Sequence, residues 1–166
     1  MVEGIRWWKS INRDHFYLPG LYLFVYMTLL EIHKQLLEYG FKDKNTTFII
    51  TDKDYARPTS NYLLGKFYEF YRQLLTEHKL ATWDARWDCD NFASTFYVFA
   101  QICHTKSKRK EQGIAIGELF YFIDNGGGHV INIAFTEKGI MLIEPQDGKE
   151  VQLTQTEIES AMLIRF

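Results

Sequence analysis

A chain of 166 residues, 46% hydrophobic and 24% charged, is long enough for one domain with a real core and too short for two comfortable ones. Its net charge of −2 gives no bulk attraction for polyanions, so nucleic acid is excluded as an expected partner. The most apolar early segment, Leu21 to Leu30, runs straight into Glu31-Ile32-His33-Lys34 and is too short to span a membrane. Pro19-Gly20 ahead of it reads as a helix start, not as part of a signal peptide.

Taken in order, the first dozen residues, with Trp7, Trp8 and Ile11 among basic side chains, read equally as a short helix or an arm. From Gly20 to Tyr39 the apolar positions Leu21, Phe24, Val25, Thr28, Leu29, Ile32, Leu36 and Leu37 follow a helical rhythm, and Gly40 stands where a C-cap glycine belongs. Phe48-Ile49-Ile50-Thr51 is a short strand or extended connection, followed by a polar loop, Asp52 to Ser60. Asn61 to Leu80 is amphipathic and helical. A third helix is expected from about Cys89 to Cys103, with Phe92, Phe96, Phe99 and Cys103 as its buried stripe. Two cysteines on that helix stand ~21 Å apart. They cannot bridge within it, which points to a reducing, cytoplasmic compartment.

The basic run Lys106-Ser107-Lys108-Arg109-Lys110 joins this helix to the next strand and reads as a solvated loop. The period then changes from 3.6 to 2. Strands are expected over Gly113 to Asp124, His129 to Phe135, Ile140 to Glu144 and Glu150 to Leu153, then a short helix over Thr154 to Ser160 and a last strand, Met162 to Phe166. The expected class is α+β in a single domain over 1–166, with a helical half (about 1–105) packed on an antiparallel sheet half (about 113–166).

The chemistry concentrates in Trp83 to Ala93, W-D-A-R-W-D-C-D-N-F-A. Asp88, Asp90 and Asn91 are capping types, so Cys89 falls in or beside a first helical turn, where orphan N–H groups and the helix dipole favour a thiolate. A nucleophilic cysteine needs a base and an orienting group. Of five histidines only His129 opens a strand directly after a glycine-rich loop. If Thr136 to Gly139 form an even-length turn, Phe135 pairs with Ile140, and His129, Glu144 and Gln146 share one face. His129 and Glu144 are then within reach on the diagonal. With no C-x-x-C, a zinc centre is not expected.

The motifs D-C-D-N-F-A (Asp88 to Ala93), H-V-I-N (His129 to Asn132) and I-E-P-Q-D-G (Ile143 to Gly148) resemble, in order and spacing, the D-C-D-D-F-A, H-A-x-N and E-P-Q motifs of papain-like cysteine proteases. The resemblance is nearest to the C-terminal protease domain of fungal agglutinins of the fairy-ring mushroom lectin type. Bacterial transglutaminase-like cysteine proteinases are looser relatives. It covers about the last 80 residues. It implies a papain-like fold and a cysteine peptidase or amidase that cleaves protein or peptide substrates through an acyl-enzyme. Cys89 would be the nucleophile, His129 the base and then acid, and Glu144 the orienting carboxylate. The Cys89 N–H would form half of an oxyanion hole, with Trp83 or Trp87 as candidates for the other donor.

No cofactor is implied for the chemistry itself, but the family includes calcium-dependent members. Carried over, the calcium ligands would be Asp90, Asn91 (where the family has aspartate), Gln146 and, nearby, Asp147. Two other functions stay open beside the hydrolase. One is acyl transfer of the transglutaminase kind; the other is a non-catalytic binding or structural module on the same frame.

Overall fold

The computed structural model describes residues 22–107, 109–124 and 126–166. The first dozen residues and Pro19-Gly20 lie outside this range.

The expected helix over 20–39 is half right. Tyr22–Thr28 is a strand, β1, and helix α1 occupies only Leu29–Tyr39. The aromatic and β-branched run Y-L-F-V-Y-M-T suits a pleated surface. Here it finds a partner in β3 (Asp54–Pro58), with Met27 opposite Tyr55 and Thr28 opposite Asp54. Tertiary pairing overrides the helical period. The helix starts where its capping chemistry is complete: the Thr28 hydroxyl accepts the Glu31 N–H, and the Glu31 carboxylate accepts the Thr28 N–H at 2.7 Å. Gly40, at φ 124°, ends it.

β2 (Thr47–Ile49) precedes β3, and β3 lies inside the stretch expected to be a polar loop. A short helix, α2 (Ser60–Tyr62), passes through a π-helical segment, Leu63–Phe67, into α3 (Tyr68–Glu77). Gly65, with φ −109° and ψ −107°, marks the kink. Helix α4 (Cys89–Lys106) buries Phe92, Phe96, Phe99 and Cys103 as its stripe requires. Then follow β4 (Gly113–Ile114), β5 (Ile116–Phe122), β6 (Gly128–Thr136), β7 (Gly139–Glu144), β8 (Lys149–Val151), α5 (Gln155–Glu159) and β9 (Leu163–Arg165).

The strands form a three-stranded sheet, β1-β3-β4, and a six-stranded sheet, β2-β9-β5-β6-β7-β8. In the hairpin Phe135 stands opposite Ile140 and Thr136 opposite Gly139. Both faces of the larger sheet are covered. Ile131, Ile133 and Phe135 pack with Ile32 and Leu36 of α1, Tyr55 of β3 and Ile158 of α5. On the other face, Ile116, Ala134, Met141 and Ile143 pack with Phe67 and Tyr71 of the α2–α3 arm and Phe92 and Phe96 of α4.

The expected papain-like arrangement, a helical half laid on an antiparallel sheet half, is therefore corrected. Among the described residues the amino-terminal half contributes three strands. One of them, β2, enters the larger sheet parallel to β9, with Phe48 opposite Ile164. The physical reason is that β5, β6 and β7 are buried on both faces, which calls for apolar cover from both halves of the chain.

One close approach limits the sheet centre. A Cβ at Gly117 would stand 2.2 Å from the Arg165 carbonyl oxygen across the β5–β9 pair. Gly117→Ala must push β9 off the sheet or distort β5, and is expected to cost about 2–3 kcal/mol, read as a lowered urea midpoint with unchanged slope.

Candidate functional site

Cys89 is the first residue of α4, half-buried. Asn91 Oδ1 accepts the Asp88 N–H at 3.2 Å and so closes the helix start. On the sheet, His129 Nε2 and Glu144 Oε2 are 2.9 Å apart, with side chains 22% and 19% exposed. The Glu144 Oε1 accepts the Gln146 N–H at 3.1 Å, which frees the other oxygen for the imidazole. The Tyr121 ring stands edge-on to His129, with centroids 5.7 Å apart. The Val130 N–H is directed at the Cys89 thiol, so the helix start lies against the residue that follows His129. The fold thus gathers Cys89, His129 and Glu144 at one end of the sheet.

The electrostatics of the thiol run against the expectation drawn from its helix position. Burial is the largest influence and pushes the Cys89 thiol above its ordinary range. The Val130 N–H pulls it down, and the Asp88 and Asp90 carboxylates push it up again. Asp88 is itself held above the usual carboxylate range, chiefly by a side-chain hydrogen bond with Asp90. Two carboxyl groups flank the sulfur where a thiolate would need positive charge.

The oxyanion candidates separate. Trp83 is 58% exposed on the loop that enters α4. The Trp87 ring packs edge-on against Phe92, and its buried Nε1 has no hydrogen-bond partner among the described residues.

Several of the residues carried over as calcium ligands already have partners within the chain. Asn91 Oδ1 is spent on the helix start, Asp147 pairs with Lys149 at 2.5 Å, and the Gln146 carbonyl accepts from Arg72 at 3.3 Å. Among the described residues no group of three or more His, Cys, Asp or Glu is arranged to hold a metal ion.

Sequence reading missed Tyr68, Tyr71 and Arg72 on α3, which stand behind the β7–β8 turn. Their only signal was apolar spacing on an amphipathic helix, which reads as core.

No family model matches the chain, and no curated protein matches it. Among solved structures, PSL1a in complex with E64 matches with a TM-score of 0.68 and 18% identity, over 85% of this chain and 50% of that one. The Polyporus squamosus lectin bound to the human-type influenza-binding epitope Neu5Aca2-6Galb1-4GlcNAc matches with a TM-score of 0.63 and 17% identity, over 85% and 49%. The chain spans about half the length of each.

These findings correct the family reading. No family model and no curated protein ties the chain to papain-like or transglutaminase-like cysteine proteases, and a solved structure that shares its fold is that of the Polyporus squamosus lectin. The expectation of a cysteine peptidase or amidase with a catalytic triad is corrected with it: no family model or curated protein supports it, and the lectin structure, at 17% identity, shows a shared fold alone. Among the described residues no helix is long and apolar enough to cross a membrane.

The tyrosines near the site make a pH prediction. Burial raises Tyr71 and Tyr121 above the ordinary phenol range and Tyr68 to about 12. Below about pH 10 these groups are protonated in both folded and unfolded chains, and their contribution is complete. Above it the unfolded chain ionises while the fold must keep its protons, so stability falls as pH rises toward the folded values. Tm is expected to drop steeply between about pH 10 and 12, with the tyrosinate absorbance of these three residues appearing only as the protein unfolds.

Proposed function

We propose that the chain is a non-catalytic binding module for a glycan-bearing ligand, and that Cys89, His129 and Glu144 form a polar recognition site in which the thiol stays protonated. The observation that carries the proposal is the fold held in common, over 85% of the chain, with a lectin whose structure holds a sialylated trisaccharide. The match covers about half of that lectin, so the glycan is assigned to this chain on the strength of the proposal alone.

The site chemistry agrees with this reading. A thiol raised by burial and by two neighbouring carboxylates is a poor nucleophile at neutral pH. His129 with Glu144 presents a fixed donor–acceptor pair, and Trp83 offers an open aromatic face on the adjoining loop.

The test joins ligand capture to thiol reactivity. On a glycan microarray the full chain is expected to retain a subset of glycans and to lose them in His129→Ala. With iodoacetamide or E64 at pH 7, Cys89 is expected to react more slowly than free cysteine, with an apparent pKa above the ordinary value. Cys103, pushed up to about 12 by burial, serves as the unreactive internal standard. Rapid alkylation of Cys89 at neutral pH, together with peptide cleavage that Cys89→Ala abolishes, would overturn the proposal.

A further inference from the structure

An open groove lies away from the Cys89 cluster, between α1 and the outer edge of β2. It offers about 440 Å³ and is lined by Leu29, His33, Asp43, Thr46, Thr47, Phe48 and Ile50. That volume falls within the range of small-molecule sites, and its walls have the usual mixture of apolar surface and a few convergent polar groups.

The polar groups are held in place before any ligand arrives. His33 Nε2 and Asp43 Oδ1 are 2.9 Å apart. The edge of the His33 ring meets the face of Phe48 at a centroid distance of 5.1 Å. The turn that carries Asp43 is anchored on both flanks: Lys42 pairs with Glu159 at 2.9 Å, and the buried Thr46 hydroxyl donates to the Ala161 carbonyl at 3.0 Å. A site built on such a turn pays little ordering entropy on binding.

β2 adds backbone groups. The Thr47 N–H donates to the Met162 carbonyl and the Ile49 carbonyl accepts the Phe166 N–H, so both residues face β9. Alternation along the strand turns the Phe48 N–H and carbonyl to the opposite edge. Among the described residues that edge has no partner strand.

We infer that this groove is a binding site for a neutral saccharide ring. Leu29, Phe48 and Ile50 offer an apolar surface for the C–H face of a pyranose. Asp43, His33 and the outward Phe48 backbone offer donors and acceptors for its hydroxyls. Among the described residues that line it none is a lysine or arginine, and its one carboxylate already faces an imidazole, so the site holds no fixed cation for an anionic ligand. The site is separate from the cluster proposed above and does not depend on that assignment.

The experiment is a ¹H–¹⁵N correlation titration of the full chain with methyl glycosides of glucose, galactose and N-acetylglucosamine. Saturable shifts confined to residues 29–50 are expected for at least one glycoside, with a Kd in the millimolar range. His33→Gln and Asp43→Asn, both at the surface and so compatible with folding, are each expected to weaken binding about tenfold. Cys89→Ala is expected to leave these shifts unchanged, which separates this site from the cluster at α4. Three results would overturn the inference: no saturable shifts in 29–50, shifts indifferent to both variants, or shifts along Thr47–Ile49 that follow protein concentration alone. The last would assign the edge to pairing with a second copy of the chain.

Discussion

The geometry of the molecule depends on one buried amide. Asn132, fully buried on β6, donates to the Ala93 carbonyl of α4 at 3.0 Å and to the Gly117 carbonyl of β5 at 3.1 Å. A single side chain therefore ties a helix and two strands at fixed spacing. Beside it, the buried Glu118 carboxylate accepts from the Ser94 hydroxyl at 2.6 Å and from the Arg165 guanidinium. Ala93 lies four residues after Cys89 and Asn132 three after His129, so this seam sets where the thiol stands relative to the imidazole. Losing the Asn132 amide would remove two buried hydrogen bonds at once, each worth about 0.5–1.5 kcal/mol.

A second clamp holds the carboxylate. Gly148, at φ +73°, turns the chain after β7, and a Cβ there would stand 2.5 Å from the Tyr68 ring. Arg72 donates to the Gln146 carbonyl at 3.3 Å and to the Ala81 carbonyl at 3.2 Å, joining the β7–β8 turn to the chain beyond α3. The turn is gripped from α3, and Glu144 inherits its position. The α2–α3 arm thus does more than fill the core: it orients the acid side of the cluster from the opposite half of the chain.

Much of this order was legible in the residues. The hairpin register could be counted because its turn is even, and the start of α4 could be placed from capping types around Cys89. The later strands announced themselves by alternation between glycine-containing turns. What was illegible depended on partners distant in sequence. Tyr22 to Thr28 carries both a helical spacing and a strand composition, and only the pairing with β3 decides between them. β3 was hidden because Asp54 and Arg57 read as loop, whereas Ala56 and Tyr55 are fully buried between β1 and β4. The family reading failed for a related reason. Short motifs report which side chains lie near a turn and do not by themselves fix a family or a function.

The thiol shows how this happens. A helix N-terminus contributes about 0.3–1 kcal/mol toward a charged group at an exposed surface, and on the sequence alone that contribution had no visible competitor. In the folded chain it meets three. Burial removes water from the sulfur, Asp90 occupies the same helical turn, and Asp88 shares a hydrogen bond with Asp90 directly beside it. Each disfavours a second negative charge, and only the Val130 N–H joins the dipole on the other side. Burial pushes the first residue of the helix up most, and the aspartates that mark the helix start in the sequence push it in the same direction. Capping and activation make opposite demands on those aspartate positions.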